Sequence, residues 1–468
     1  MEKKYTPVKS VRGTQDIYPE QYYRRLEAFE KLRNVFERYG YQGIDVPLIE
    51  PVELHLRKSG DKILKGMYHF KDYGDRDICL RPEITASVVR AFNEGLANEK
   101  RPVKLYYHGA VFRYDKPQEG RYRQFTQTGV EVIGTSALEY DAEMIMMTSE
   151  CMESLGIQNY EIAISDVSIL FALLDAIGLP QEKKSLIIGY LEDLNKVPDK
   201  NDFIPIIKKG LAESGVSESE INAEHGPYGK VVKLILQLSN LRGTPPEVFE
   251  RLQVTMSHFI DTGKPLPDTS SLKKVCDILT SFGINWNKAR VDFGFGRGLA
   301  YYTGTVFEIY SPLLGAANQV CGGGRYDELL NILGGHGEAK SVGFAFGFER
   351  LILAAERERN AKTQSDCNLE KGHLDAYVIP MSESDFPYAI KVAGILRNEG
   401  AKVEIDFSGR HSSKATKRAD STGAKFVVYV GGDEEKKNGF TLKDMKFGAQ
   451  EFCELDKVKN SSLFGSRL

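Results

Sequence analysis

The chain has 468 residues, too many for one hydrophobic core, so about two to four domains of ordinary size are expected. Hydrophobic residues make up 41% and charged residues 27%, with both signs interspersed, which excludes wholesale disorder, a fibrous repeat and a membrane bundle. The 62 Lys/Arg against 65 Asp/Glu leave a net charge of −3, so any site for a polyanion must be a local patch.

The six cysteines (Cys79, Cys151, Cys276, Cys321, Cys367 and Cys453) form no C-x-x-C pair and no Cys/His cluster at zinc spacing. A reduced, cytoplasmic chain without a structural metal is expected. Met1 to Tyr5 hold no apolar segment or cleavage site, and no apolar run reaches membrane-spanning length, so neither export nor membrane insertion is expected.

In chain order, Tyr22, Leu26, Phe29, Leu32, Phe36 and Tyr39 recur at helical spacing after Pro19-Glu20 and before Gly40. They predict an amphipathic helix of about five turns with a glycine C-cap. Ile44 to Leu48 alternates like a strand but carries Pro47, which suits an edge or an interface. Short β-type runs at Val103–Tyr107, Gly109–Arg113 and Thr128–Ile133 read as an antiparallel meander. A helix over about Asp141–Leu155 and a strand at Tyr160–Ile164 follow.

Helical spacing dominates 168–284 (Leu170, Leu173, Leu174, Ile177, then Val231, Leu234, Ile235, Leu238), a helical insertion that divides the core into 1–167 and 285–356. Strands return at Ala289–Val291 and Thr305–Tyr310, and a helix opens near Gly347. Residues 357–372 are polar and aperiodic, as in a linker. Beyond them, 373–468 reads strand, helix, strand, helix, strand (Asp375–Ile379, Phe386–Glu399, Ala401–Ile405, Ser412–Thr422, Lys425–Val430), an α/β unit with a largely parallel sheet.

No P-loop spacing occurs, and Gly294-Phe295-Gly296-Arg297-Gly298 lacks the full dinucleotide fingerprint, so Gly294 and Gly296 read as turn residues. The stretch from Phe112 to Gln127 is more informative. Two strands joined by a Pro/Gly loop put Arg113 and Arg121 on one sheet face with Phe125 close by, which suits a nucleoside triphosphate, or else an exposed basic hairpin. From Glu99 to Gln124 there are seven Lys/Arg against three Asp/Glu, so the segment is basic on either reading. Gly322-Gly323-Gly324 lets a backbone approach a ligand, although a flexible turn between strands accounts for the glycines alone. Arg350, in the first turn of a helix after an apolar strand, suits an anion, and an ordinary surface ion pair suits it as well.

Taken in order, the helix with the Pro47 strand, Phe112-Arg113-x-acid with Arg121-x-x-x-Phe125, and Gly347-Phe348-Glu349-Arg350 resemble the three motifs of class II aminoacyl-tRNA synthetases. Within that class the histidyl-tRNA synthetase family is the one resembled. Leu80-Arg81-Pro82-Glu83-Ile84-Thr85-Ala86, Gln127-x-Gly129-x-Glu131-Val132-x-Gly134, Arg297-Gly298-Leu299-x-Tyr301-Tyr302 and the Gly323-Gly324-Arg325-Tyr326-Asp327 turn carry it. The resemblance runs from about Val11 to the C-terminal end, weakening in the insertion and the linker.

The resemblance implies an α+β catalytic domain on an antiparallel sheet, interrupted by the helical insertion, and a C-terminal α/β anticodon-binding domain. It implies ATP-dependent ligation of L-histidine to tRNA(His) through histidyl-adenylate, with Mg2+ accompanying the triphosphate and no metal assigned to protein side chains. On matching positions, Arg113 and Arg297 would act at the α-phosphate, Arg121 and Arg350 at the outer phosphates, and Phe125 and Asp115 at adenine. Glu83, Thr85, Gln127, Glu131, Arg297, Tyr301 and Tyr302 would hold histidine, and Gln118 and Arg123 the tRNA acceptor end. Six Lys/Arg against three Asp/Glu from Lys402 to Lys425 make a surface for tRNA, or a solvated helix face without the resemblance. The first helix and Pro47 strand would form a homodimer interface.

Two positions depart from the family pattern. Asp115 stands where glutamate is usual, and Ala300 where aspartate is usual. The rival function is a non-catalytic, histidine-sensing paralogue that regulates ATP phosphoribosyltransferase. The arginine set and the C-terminal unit argue against it, as the absence of kinase signatures does against a stress-sensing module.

Overall fold

A computed structural model describes residues 7–194, 200–261, 263–294, 301–335, 340–362 and 374–458. The chain divides into two compact units, 1–362 and 363–468.

The first unit is built on a sheet of nine described strands in the order Gln42–Gly43, Val103–Phe112, Gln124–Ile133, Ser341–Gly347, Gln319–Arg325, Thr305–Tyr310, Glu161–Asp166, Ala289–Asp292, Arg242–Gly243. Gln42–Gly43 pairs in parallel with Val103–Phe112, and Glu161–Asp166 with Ala289–Asp292; the other pairings are antiparallel. This is the expected α+β architecture.

Alternation assigns the two sheet faces. Val130, Val132, Val342, Phe344 and Phe346 enter one core, with Leu32, Val35 and Phe36 of the helix Pro19–Arg38 and Met144, Met147 and Cys151 of the helix Glu139–Ser154. Residues of odd number on these strands point the other way. Between the large apolar residues of Ser341–Gly347 lie only Gly343, Ala345 and Gly347, and they sit opposite Glu131, Gly129 and Gln127. The next strand puts Gly322 opposite Ala345 and Gly324 opposite Gly343. The second face is therefore floored with glycine and alanine, which leaves room above it.

Four expectations change. Ile44–Leu48 is not a strand: Pro47 has no N–H to give, and the carbonyls of Val46 and Pro47 accept from the buried Arg81 guanidinium instead of from a neighbouring strand. Val103–Tyr107 and Gly109–Arg113 form one ten-residue strand, because Gly109 pairs with Gln127 without a break. The three glycines lie inside the strand Gln319–Arg325 rather than in a turn; a Cβ on Gly323 would fall 2.5 Å from the Cβ of Phe344. The helix Phe348–Lys362 continues through six residues read as linker, and 363–373 lie outside the described residues.

The insertion is helical, as expected, from Val167–Ala176 to Ser270–Ser281. It adds the short edge strand Arg242–Gly243, which periodicity could not reveal. In the second unit Val403–Ile405, Ala376–Pro380 and Phe426–Val430 are parallel, followed by the antiparallel hairpin Gly439–Asp444 and Gln450–Glu454. The helix Phe386–Asn398 packs Val392 and Leu396 on the Ala376/Val378 face, while Ser412–Ser421 packs Ala415 and Ala419 on the Tyr377/Ile379 face.

Candidate active site

Above the small-residue floor lies a cavity of about 520 Å³. Its lining includes Glu83, Thr85, Arg113, Asp115, Arg121, Phe125, Gln127, Glu131, Tyr301, Tyr302 and Arg350, so the residues singled out from five motifs converge on one space. Arg297 and Ala300 lie outside the described residues.

At one end, Glu131 is 1% exposed. Tyr107 donates its hydroxyl to Oε1 at 3.1 Å, and the Tyr326 hydroxyl donates to Oε2. Burial pushes the Glu131 carboxyl up to about 7, against the hydrogen bonds from Tyr326 and Thr85 and the charge of Lys58, which favour ionisation. The carboxylate fits only because its strand neighbour lacks a side chain: a Cβ on Gly343 would lie 1.8 Å from Oε2. Tyr302 also lines this cavity and contacts Tyr301, with ring centroids 4.2 Å apart.

In the middle, Glu83 closes the turn into the helix Thr85–Ala91 by accepting the Ala86 N–H at 3.1 Å. Gln127 Oε1 accepts the Ile84 N–H at 3.0 Å, which ties this turn to the sheet. Burial opposes ionisation of Glu83, but the Lys58 ammonium 3.0 Å away and the His55 ring outweigh it and hold the carboxyl well below the usual range.

The other end is cationic. Arg113 donates Nε to the Pro82 carbonyl at 2.8 Å, and its guanidinium lies 5.3 Å from the Phe125 ring centre. Arg121 pairs with Asp115 at 2.9 Å. Arg350 is fixed by donating to the carbonyls of Gly120 and Gln319, each at 3.0 Å. Its neighbour Glu349 accepts from Arg25 at 2.7 Å and from the Thr126 N–H at 2.9 Å, so the first long helix reaches the base of the cationic end. Gln118 and Arg123 belong to the loop between the hairpin strands: Gln118 and Arg121 exchange backbone hydrogen bonds, and Arg123 stacks over Tyr114 at 4.1 Å.

Sequence reasoning missed Lys58, His55, Tyr107 and Gly343 as site residues, and Tyr326 as more than part of a motif. Tyr107 had a readable signal, since it shares a sheet face with its neighbour across from Glu131. Lys58 had none, because its place depends on how the helix Val52–Ser59 packs.

Comparison with known proteins agrees with this geometry. The family model described as histidyl-tRNA synthetase matches residues 13–351, and the one described as an anticodon binding domain matches 375–461. A histidine–tRNA ligase from Pyrococcus horikoshii is 35% identical over 97% of this chain and 99% of its own length. Among solved structures, apo histidyl-tRNA synthetase of S. aureus is similar with TM-score 0.66 and 28% identity, covering 97% of this chain and 99% of that one. The fold is also shared with histidyl-tRNA synthetase from Nostoc sp. PCC 7120, at TM-score 0.73 and 24% identity over 99% of this chain and 100% of that one. The chain belongs to the histidyl-tRNA synthetase family.

Proposed function

We propose that this chain activates L-histidine with ATP and transfers it to tRNA(His). The observation that carries the proposal is a single cavity with a buried, tyrosine-held carboxylate at one end and fixed arginines at the other. In the first step a histidine carboxylate oxygen attacks the α-phosphorus of ATP, an acyl-phosphate bond forms, and pyrophosphate leaves. In the second, a hydroxyl of the tRNA 3′ end attacks the acyl carbon and AMP leaves.

Positioning and charge neutralisation supply the catalysis. Arg113, joined by Arg297, holds the α-phosphate. Arg121 and Arg350 neutralise the outer phosphates, and Phe125 with Asp115 borders the adenine. Glu131 accepts the imidazole N–H, with Tyr302 at the second ring nitrogen and Tyr301 along the substrate. Such a pocket rejects side chains that would leave its buried polar groups unpaired. Glu83, Thr85 and Gln127 receive the amino-acid backbone, and Gln118 and Arg123 the acceptor end of tRNA. The C-terminal unit, matched by the anticodon-domain model, reads the anticodon.

Mg2+ enters with the triphosphate. The two carboxylates at that end are already committed, Asp115 to Arg121 and Glu349 to Arg25 and Thr126, so they do not form a cage for the metal. Tyr18 just ahead of the first helix and Tyr22 and Leu26 within it, spaced four apart, remain exposed with Leu48 and Ile49, which supports a homodimer through this face. A cytoplasmic location completes the proposal; among the described residues no helix is long and apolar enough to cross a membrane.

Charging assays test the reading. The full chain should attach histidine to tRNA(His) in an ATP-dependent manner, and should leave threonine, proline and glycine unattached to their tRNAs. Histidine binding without charging would instead favour the regulatory paralogue.

A further inference from the structure

Glu83 is the carboxylate best placed for the substrate ammonium, yet it is already occupied. The Lys58 ammonium lies 3.0 Å from Oε2, the Ala86 N–H binds Oε1 at 3.1 Å, and His55 Nδ1 is 3.5 Å from Oε1. Lys58 is itself a cavity-lining residue whose side chain is only 5% exposed, and its ammonium also sits 4.2 Å from the Tyr301 ring centre. A carboxylate and an aromatic face around one ammonium are the chemistry of an amine-binding subsite. Here the chain fills that subsite with a side chain of its own.

Resting on the proposed function, we infer that Lys58 is an internal stand-in for the substrate's α-ammonium, so that amino-acid binding exchanges one ammonium for another on Glu83. The stand-in keeps the buried Glu83 charge compensated when no amino acid is present, which spares the site an unpaired buried anion. It also sets a threshold for amines: a ligand gains Glu83 only by displacing Lys58, because two ammonium groups crowded on one buried carboxylate repel each other. Lys58 is thus a positioning residue that acts through Glu83.

The test compares two ligands that differ only in the amine, histidinol and imidazolylpropanol, by calorimetric titration of the full chain without ATP. Lys58→Met should tighten histidinol by about tenfold while leaving imidazolylpropanol within about twofold, since only the amine meets the released carboxylate. Lys58→Gln, with a different fit, should show the same change in ratio, and Lys58→Arg should keep the wild-type ratio. Equal weakening of both ligands would assign Lys58 a merely structural role and overturn the inference, as would an unchanged ratio in both uncharged variants. Failure of the wild-type chain to bind either ligand would instead overturn the histidine-site reading, and the inference with it.

Discussion

The two ends of the cavity solve opposite problems. At the end assigned to imidazole, Glu131 is shut away from water, and both its oxygens are held by tyrosine hydroxyls. At the end assigned to phosphate, Arg121 and Asp115 keep side-chain exposures of 44% and 28%, and Arg350 is anchored by backbone carbonyls. Burial raises the cost of a wrong partner, so the first end is suited to selection. Fixed cations open to solvent attract and orient a polyanion, so the second is suited to capture and charge neutralisation.

Substitutions can break or sharpen this contrast. The largest effect is expected for Arg113→Ala, which removes the fixed cation assigned to the reacting phosphate: histidine-dependent ATP–pyrophosphate exchange should fall by about 10²–10³ fold, with the circular dichroism spectrum unchanged. Next is Gly343→Ala, whose new Cβ would lie 1.8 Å from Glu131 Oε2. The same Cβ would lie 2.5 Å from the Val130 carbonyl oxygen, so exchange kinetics should show KM for histidine rising roughly a hundredfold and KM for ATP changing less, because both clashes fall at the Glu131 end.

Glu131→Gln sharpens the contrast through pH. The folded chain binds the Glu131 proton more tightly than the unfolded chain does, with the carboxyl pushed from 4.5 to about 7. Its contribution to stability is therefore fully present below pH 4.5 and is lost as pH rises to about 7. Urea denaturation between pH 5 and pH 8 should show that loss in the wild type and a flatter profile in the variant. The smallest effect belongs to the wet end: Asp115→Ala breaks a partly exposed pair and should shift stability by less than about 1 kcal/mol, a bound that thermal unfolding can check.

Much of this arrangement was legible in the sequence because alternation is a local signal. The odd positions Phe125, Gln127, Gly129 and Glu131 share a face in any straight strand, and Ser341–Gly347 alternates small and large residues visibly. What was hidden depended on partners far away in the chain. The segment Ile44–Leu48 loses its strand character to a guanidinium contributed by Arg81, and the triple glycine is held extended by pairing with Thr305–Tyr310 on one side and Ser341–Gly347 on the other. Arg25 reaches Glu349 across more than three hundred residues, a pairing with no local signature.

The contrast between the two ends depends above all on one cavity joining histidine to ATP. Amino-acid-dependent ATP–pyrophosphate exchange on the purified full chain tests this most directly, with histidine, threonine, proline and glycine compared and Arg297→Ala as control. Exchange with histidine alone, strongly reduced in the variant, is the expected result. Measurable histidine binding with no exchange for any amino acid would contradict it and leave a histidine sensor in place of a ligase.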